Sequence, residues 1–281
     1  MFSMERAQPV KHPDAEQLTK VLTFINTERG IDLCSYRQNF SFRHLRSRFV
    51  ETKAGNAAGY IAYIKVHPEE IDRFLDELSI NVTHFFRDIE VFEAFRKGPL
   101  QDVLQRKLQG GEGRLIRIWS AACASGQEPY SLAIMLAEEI QGNAAATVRI
   151  LATDVDADAL ERAKAGVYDQ RQVKEVNKKL LEKYFHSDYN GTYSVSDQIK
   201  RMVRFERHNL ITDPGFKSID FIFCRNVMIY FNRQQQDNLI RKFHASLNSG
   251  GYLVTAKVES VWSKDLFMTK DAYNKIYQRA N

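Results

Sequence analysis

Four strand-like runs in this 281-residue chain are each followed by a side chain that can bind or carry charge. The run 115–120 leads into Ala121-Ala122-Cys123-Ala124-Ser125-Gly126-Gln127-Glu128, and 148–153 leads into Asp154. The run 203–208 precedes Asn209-Leu210, and 221–224 precedes Arg225-Asn226. Small side chains after the first run let a ligand approach the backbone closely. That turn is not G-x-G-x-x-G, because Gly126 is its only glycine. An acid at Glu128 suits a cationic, amino-acid-like ligand better than a pyrophosphate, which favours bare N–H groups. A carboxylate at Asp154 can accept from both hydroxyls of a ribose. At the third position an amide pairs with an adenine edge while a leucine packs on its face. Each group also has an ordinary reading, Asp154 as a turn cap and Asn209 as a loop residue; their occurrence at successive run ends favours a shared ligand. Asp156 reads as a helix N-cap. The Asp154-x-Asp156-x-Asp158 pattern lacks the glycine and distal glutamate of a calcium loop, so no metal site is expected.

The elements that must position these groups follow from periodicity. Leu18, Val21, Leu22 and Ile25 recur at helical spacing, as do Phe42, Leu45 and Phe49, and then Ile71, Phe74, Leu75 and Leu78. No alternating β-branched run precedes residue 114. The expectation is an all-helical domain over 1–88, then a connecting helix and linker over 89–113 ending at Gly110, Gly111 and Gly113. From 114 to 281, strands at 115–120, 148–153, 203–208, 221–224 and 252–255 alternate with helices at 128–140, 157–165 and 234–247. That alternation predicts an α/β domain with a parallel, doubly wound sheet. A final antiparallel strand is expected within 273–278. Segments 193–195 and 199–202 read as a β hairpin in a small subdomain at about 186–202.

The composition, 44% hydrophobic and 27% charged, is that of a folded protein. The first twelve residues lack the apolar stretch of a signal peptide, and no run reaches the ~20 apolar residues of a membrane helix. Cys34, Cys123 and Cys224 are widely spaced, which argues against a disulfide framework and for a reducing, cytoplasmic setting. A net charge of +5 permits an acidic partner and does not by itself indicate nucleic acid.

Four segments carry a specific resemblance: 78–87 (LSINVTHFFR), 118–131 (IWSAACASGQEPYS), 152–156 (ATDVD) and 223–231 (FCRNVMIYF). In their order and spacing they resemble the signature segments of the CheR family, bacterial chemotaxis receptor methyltransferases. The resemblance extends over nearly the whole chain. It implies a Rossmann-like class I methyltransferase sheet with an N-terminal all-helical domain and a small β hairpin subdomain. The implied methyl donor is S-adenosylmethionine, giving S-adenosylhomocysteine, and the implied product is a glutamate methyl ester on the cytoplasmic helical region of a receptor. The matching cofactor residues are Asn81, Thr83 and Arg87 of the linker, Glu128, Asp154, Asn209-Leu210 and Arg225-Asn226. No membrane insertion is implied.

A glutamate side chain is already ionised near neutral pH, with an unperturbed pKa of ~4.3, so such a reaction needs no general base. Arg87 and Tyr230 are candidates to orient the acceptor. Arg37, Arg43, His44, Arg46, Arg48 and Lys53 make a basic stretch suited to an acidic helix, with Arg43, Arg46 and Arg48 the candidate substrate contacts. A nicotinamide dehydrogenase shares such a sheet but requires the missing glycine fingerprint. A base-amine methyltransferase of nucleic acid usually has an Asn/Asp-Pro-Pro-aromatic loop where Arg225-Asn226-Val227 stands. One departure keeps a non-catalytic alternative open, a receptor-binding or cofactor-sensing module. Where the family usually has a glycine and a short polar stretch ending in glutamate, this chain reads Ala256-Lys257-Val258-Glu259.

Overall fold

Apolar residues at helical spacing build α1 (Ala15–Arg29), α2 (Gln38–Glu51), α3 (Ala57–Val66) and α4 (Glu69–Leu78). The computed structural model describes residues 13–29, 33, 37–78, 83–109, 115–140, 147–188 and 190–280. It divides into two compact units. The first runs to Ile80 and includes Tyr230–Asn232; the second holds Asn81–Ile229 and Arg233–Asn281. The division thus falls before residue 88, and residues 83–88 go with the second unit. In the first unit Leu18, Leu22, Ile25, Phe42, Leu45, Phe49, Tyr60, Ile64 and Phe74 share one core. Asn56 caps α3 by accepting from the Gly59 N–H at 2.9 Å, the usual service of an asparagine at that position.

The expected connecting helix is two helices, α5 (Ile89–Lys97) and α6 (Pro99–Gln109), broken at Gly98. Proline at the first position of α6 lacks an N–H that would be unsatisfied there anyway. Then come β1 (Leu115–Ala121), α7 (Gln127–Glu139), β2 (Thr147–Asp154), α8 (Ala157–Ala165), β3 (Val167–Asp169), α9 (Lys178–Tyr184), β4 (Phe185–Ser187), β5 (Thr192–Val195), α10 (Asp197–Lys200) and β6 (Val203–Arg207). The chain continues through β7 (Ile219–Cys224), α11 (Arg233–Ser246), β8 (Leu247–Thr255), β9 (Phe267–Asp271) and β10 (Ile276–Arg279).

The main sheet has the order β6-β2-β1-β7-β8-β10-β9. Strands β6, β2, β1, β7 and β8 are parallel, and β10 runs antiparallel to β8 and β9. The chain leaves β1 toward β2 on one side and later enters β7 on the other, so the strand order reverses between β1 and β7. Register brings the carboxyl ends level: Ala121 pairs with Thr153 and with Cys224, Asp154 with Arg207, and Cys224 with Thr255. That edge is where ligands bind in open α/β sheets. Behind it, Ile116, Ile118, Phe221 and Phe223 lie in the core with Phe85, Phe92 and Phe95. On the other side of β1, the Trp119 ring packs against Phe216 and Phe243, and its Nε1–H donates to Thr153 Oγ1 at 2.9 Å.

One expectation for the strands is corrected, and one strand is added. The small subdomain is a three-stranded antiparallel sheet, β3-β5-β4, rather than a hairpin of 193–195 with 199–202. The second of those segments begins in the helical turn α10, and buried Ile199 packs as a helical residue. Strand β9 was not anticipated, because Met268, Thr269 and Lys270 are all exposed and leave no alternating pattern to read.

Candidate functional site

At the level carboxyl ends of β1, β2 and β7, the backbone takes conformations that side chains normally resist. Ala122 (φ 62°), Ala124 (φ 46°) and Gly126 (φ 92°) alternate in the left-handed region after β1, and Asn226 (φ 60°) does so after β7. In the linker Phe86 (φ 53°) and Asp88 (φ 56°) do the same. Such residues cost about 1–3 kcal/mol each and persist only where surrounding bonds enforce them. Here the bonds are visible. A Cβ on Gly126 would stand 2.8 Å from the Ala163 Cβ, so glycine is needed for α7 to start against α8.

Asp154 shapes the first turn. Its Oδ2 accepts from the Ala124 N–H at 2.7 Å and its Oδ1 from the Asp156 N–H at 3.0 Å. Burial pushes this carboxyl above its ordinary pKa while those N–H groups pull against it. Asp156 caps α8, accepting from the Ala159 N–H at 2.9 Å, as its sequence position suggested.

Glu128, in the first turn of α7, accepts from the Ser120 hydroxyl at 2.8 Å and lies 3.4 Å from Arg225 Nη1. Burial raises its pKa, opposed by Arg225, Ser120 and the charge of Arg87. Arg225 is almost fully enclosed; its Nη2 donates to Asp88 Oδ2 at 2.5 Å and to the Arg87 carbonyl at 2.9 Å. One guanidinium therefore joins the exit of β7, the start of α7 and the linker. The linker is anchored again where the Phe86 N–H donates to Ser131 Oγ at 2.9 Å, and where Phe85 packs edge-on against Tyr168 and Phe185.

The structure thus gathers Arg87, Glu128, Asp154, Arg225 and Asn226 around the β1, β2 and β7 ends, and Thr83 stands half-buried in the same linker. Asn81 lies outside the described residues. Asn209 follows β6, and its Oδ1 accepts from the Ile211 N–H at 2.9 Å, which leaves Nδ2 as its donor. Leu210 is buried, and its carbonyl accepts from Lys242 Nζ at 2.6 Å. Lys242 also donates to the Asp213 carbonyl at 2.5 Å, so it fastens this loop, a role with no signal in the sequence.

Glu259 is a second residue whose role needed coordinates. It is 4% exposed and accepts from the N–H groups of Ala256 (2.9 Å), Asn226 (3.1 Å) and Ile229 (3.3 Å). Lys257 pairs with Glu90 and lies over the Tyr273 ring at 4.6 Å, and Val258 is exposed.

In the first unit, Arg43 and Arg46 are exposed on α2. Arg48 is not. It is buried against Glu70 (2.8 and 2.6 Å), Glu51 (2.6 Å) and Glu77 (2.8 Å), so it holds α2 to α4 instead of presenting charge. Helical spacing explains the difference, since Leu45, Arg48 and Phe49 share the face turned to the core. Tyr230 groups with this unit, its ring 4.7 Å from that of Phe40. Among the described residues no helix is long and apolar enough to cross a membrane.

The family model "CheR methyltransferase, SAM binding domain" matches residues 81–276, and "CheR methyltransferase, all-alpha domain" matches 16–79. Chemotaxis protein methyltransferase 2 of Vibrio cholerae is 33% identical over 83% of this chain and 81% of its own length. The chemotaxis protein methyltransferase of Listeria innocua is 34% identical over 89% and 92%. That of Borreliella burgdorferi is 32% identical over 88% of each chain.

Proposed function

The chain belongs to the CheR methyltransferase family, whose members use S-adenosylmethionine in chemotaxis, and we propose that this protein methylates glutamate side chains of chemotaxis receptors. The observation that carries the reading is a pair of acids on either side of a turn of small residues, buried Asp154 at the end of β2 and largely enclosed Glu128 in the first turn of α7 after β1.

Those residues fit the cofactor. Asp154 supplies acceptors for ribose hydroxyls, Glu128 a counter-charge for an amino-acid ammonium, Asn209 an amide donor, and Leu210 an apolar face. Thr83 and Arg87 belong to the linker above the same strand ends, with Asn81 the third linker residue of the set. When bound, S-adenosylmethionine supplies a methyl group on a positively charged sulfur that an ionised carboxylate displaces directly. The chain's own contribution is to position and partly desolvate the acceptor, effects that supply ~7–11 kcal/mol when geometry is good. Arg87 is the side chain proposed to orient that acceptor.

Arg43 and Arg46 are proposed to meet the acidic, helical cytoplasmic region of the receptor, which sets the protein's place in the cytoplasm. Arg48 supports them from inside by fixing α2. The non-catalytic reading rests on Ala256-Lys257-Val258. Glu259 still holds the adjoining loop, and Lys257 is engaged with Glu90 and Tyr273, which favours the active reading. Calorimetric titration tests the cofactor half: S-adenosylhomocysteine should bind with micromolar affinity and NAD should not, and the reverse ranking would overturn it.

A further inference from the structure

The loop after β7 carries Arg225 and Asn226, yet no strand partner fixes it. Beyond the last β7–β8 pair, Cys224 with Thr255, the N–H groups of Asn226 and Ile229 turn to one buried carboxylate instead. Glu259 reaches them from the turn after β8, which it closes by donating its own N–H to the Ala256 carbonyl at 2.8 Å. Its Oε2 accepts from both Ala256 and Asn226, so a single atom ties the exits of two neighbouring strands. Asn226 sits there at φ 60°, in the left-handed region that asparagine enters more readily than most residues, and its N–H is fixed by the Glu259 bond.

From this geometry we infer that Glu259 is a positioning residue for the cofactor: its carboxylate holds 225–229 in the shape that lets Arg225 and Asn226 face the ligand. The inference rests on the reading of this sheet edge as the S-adenosylmethionine site. A carboxylate is required because it offers lone pairs on both oxygens and no proton to oppose the converging N–H groups. Glutamine has the same shape but turns one of those oxygens into a competing donor.

The test compares wild type, Glu259→Gln and Glu259→Asp in S-adenosylhomocysteine titrations and in initial-rate kinetics. For Glu259→Gln, Kd for S-adenosylhomocysteine and KM for S-adenosylmethionine should both rise about tenfold or more, the scale of one lost charge-assisted hydrogen bond. KM for the receptor fragment should stay within twofold. Glu259→Asp keeps both oxygens on a shorter reach and should fall between the two, which preserves the test if the glutamine variant folds poorly. A merely structural role would lower the active fraction, hence apparent kcat, and leave the cofactor KM alone; that pattern overturns the inference. Unchanged Kd and KM in Glu259→Gln, beside a wild type that binds, also overturn it. A wild type that does not bind S-adenosylhomocysteine overturns the site reading and the inference together.

Discussion

Arg225 and Glu128, 97 positions apart in the chain, meet at 3.4 Å at the head of the sheet, and the same guanidinium bonds Asp88 and the Arg87 carbonyl of the linker. Charge from one strand exit thereby holds three separate segments around the proposed cofactor. Arg225→Met keeps the volume but leaves Glu128 enclosed without its cation. Removing one member of a buried pair typically costs about 3–5 kcal/mol. Urea denaturation should show a loss of about 3 kcal/mol, together with loss of S-adenosylhomocysteine binding. A variant with wild-type stability and affinity would show that the pair organises nothing.

Two aspartates only two residues apart should behave differently. Asp154→Ala removes the acceptor assigned to the ribose and the bonds that shape Ala124. Its Kd for S-adenosylhomocysteine should rise at least tenfold. Asp156→Ala removes an N-cap, worth about 1 kcal/mol, and should leave that Kd within twofold. Equal losses of affinity in both variants would break the assignment.

Sequence made the sheet and the strand-end groups legible for a physical reason. Apolar runs alternating with amphipathic helices imply parallel strands, and parallel strands bring their carboxyl ends level. Side chains after those runs, such as Asp154 and Arg225, must then share one edge. What could not be read depends on contacts between distant residues. Arg48 looked like its neighbours Arg43 and Arg46 until α4 supplied Glu70 and Glu77. Glu259 looked like the end of a polar stretch until the 225–229 loop turned its N–H groups toward it. Segment 199–202 has strand-like composition, but it starts inside the helical turn that follows Ser196, and β5 pairs with β3 and β4 instead.

The three arginines of α2 should separate by function. Charge reversal at Arg43 and Arg46 should lower the rate of receptor methylation several-fold with Kd for S-adenosylhomocysteine unchanged. Arg48→Met should act on folding, costing about 3 kcal/mol by stranding Glu70. Unaltered methylation kinetics in the Arg43 and Arg46 variant would remove α2 from the receptor contact.

Acid should weaken the Glu70 network. Burial alone would raise this carboxyl's pKa, but hydrogen bonds from Arg48 and Tyr60 and the Arg48 charge outweigh it and hold it below its ordinary value. With the folded pKa below the unfolded value of ~4.3, the unfolded chain binds more protons between the two, so stability rises with pH in that window. The contribution is therefore present above about pH 4.3 and lost as pH falls through the folded value. Glu128, Asp154 and Glu259, raised by burial, slope the other way, so the useful quantity is the difference between wild type and Glu70→Gln. Urea midpoints from pH 6 to pH 3 should show that difference shrinking below pH ~4. A constant difference would contradict the assignment.

The central claim is chemical, and one measurement meets it directly. The protein is incubated with methyl-labelled S-adenosylmethionine and receptor cytoplasmic fragments, the fragments are recovered, and label released by mild base is counted against fragments whose candidate glutamates are replaced by alanine. The account predicts base-labile methyl label on the intact fragments and none on the replaced ones. Tight cofactor binding with no base-labile label on any fragment would contradict it.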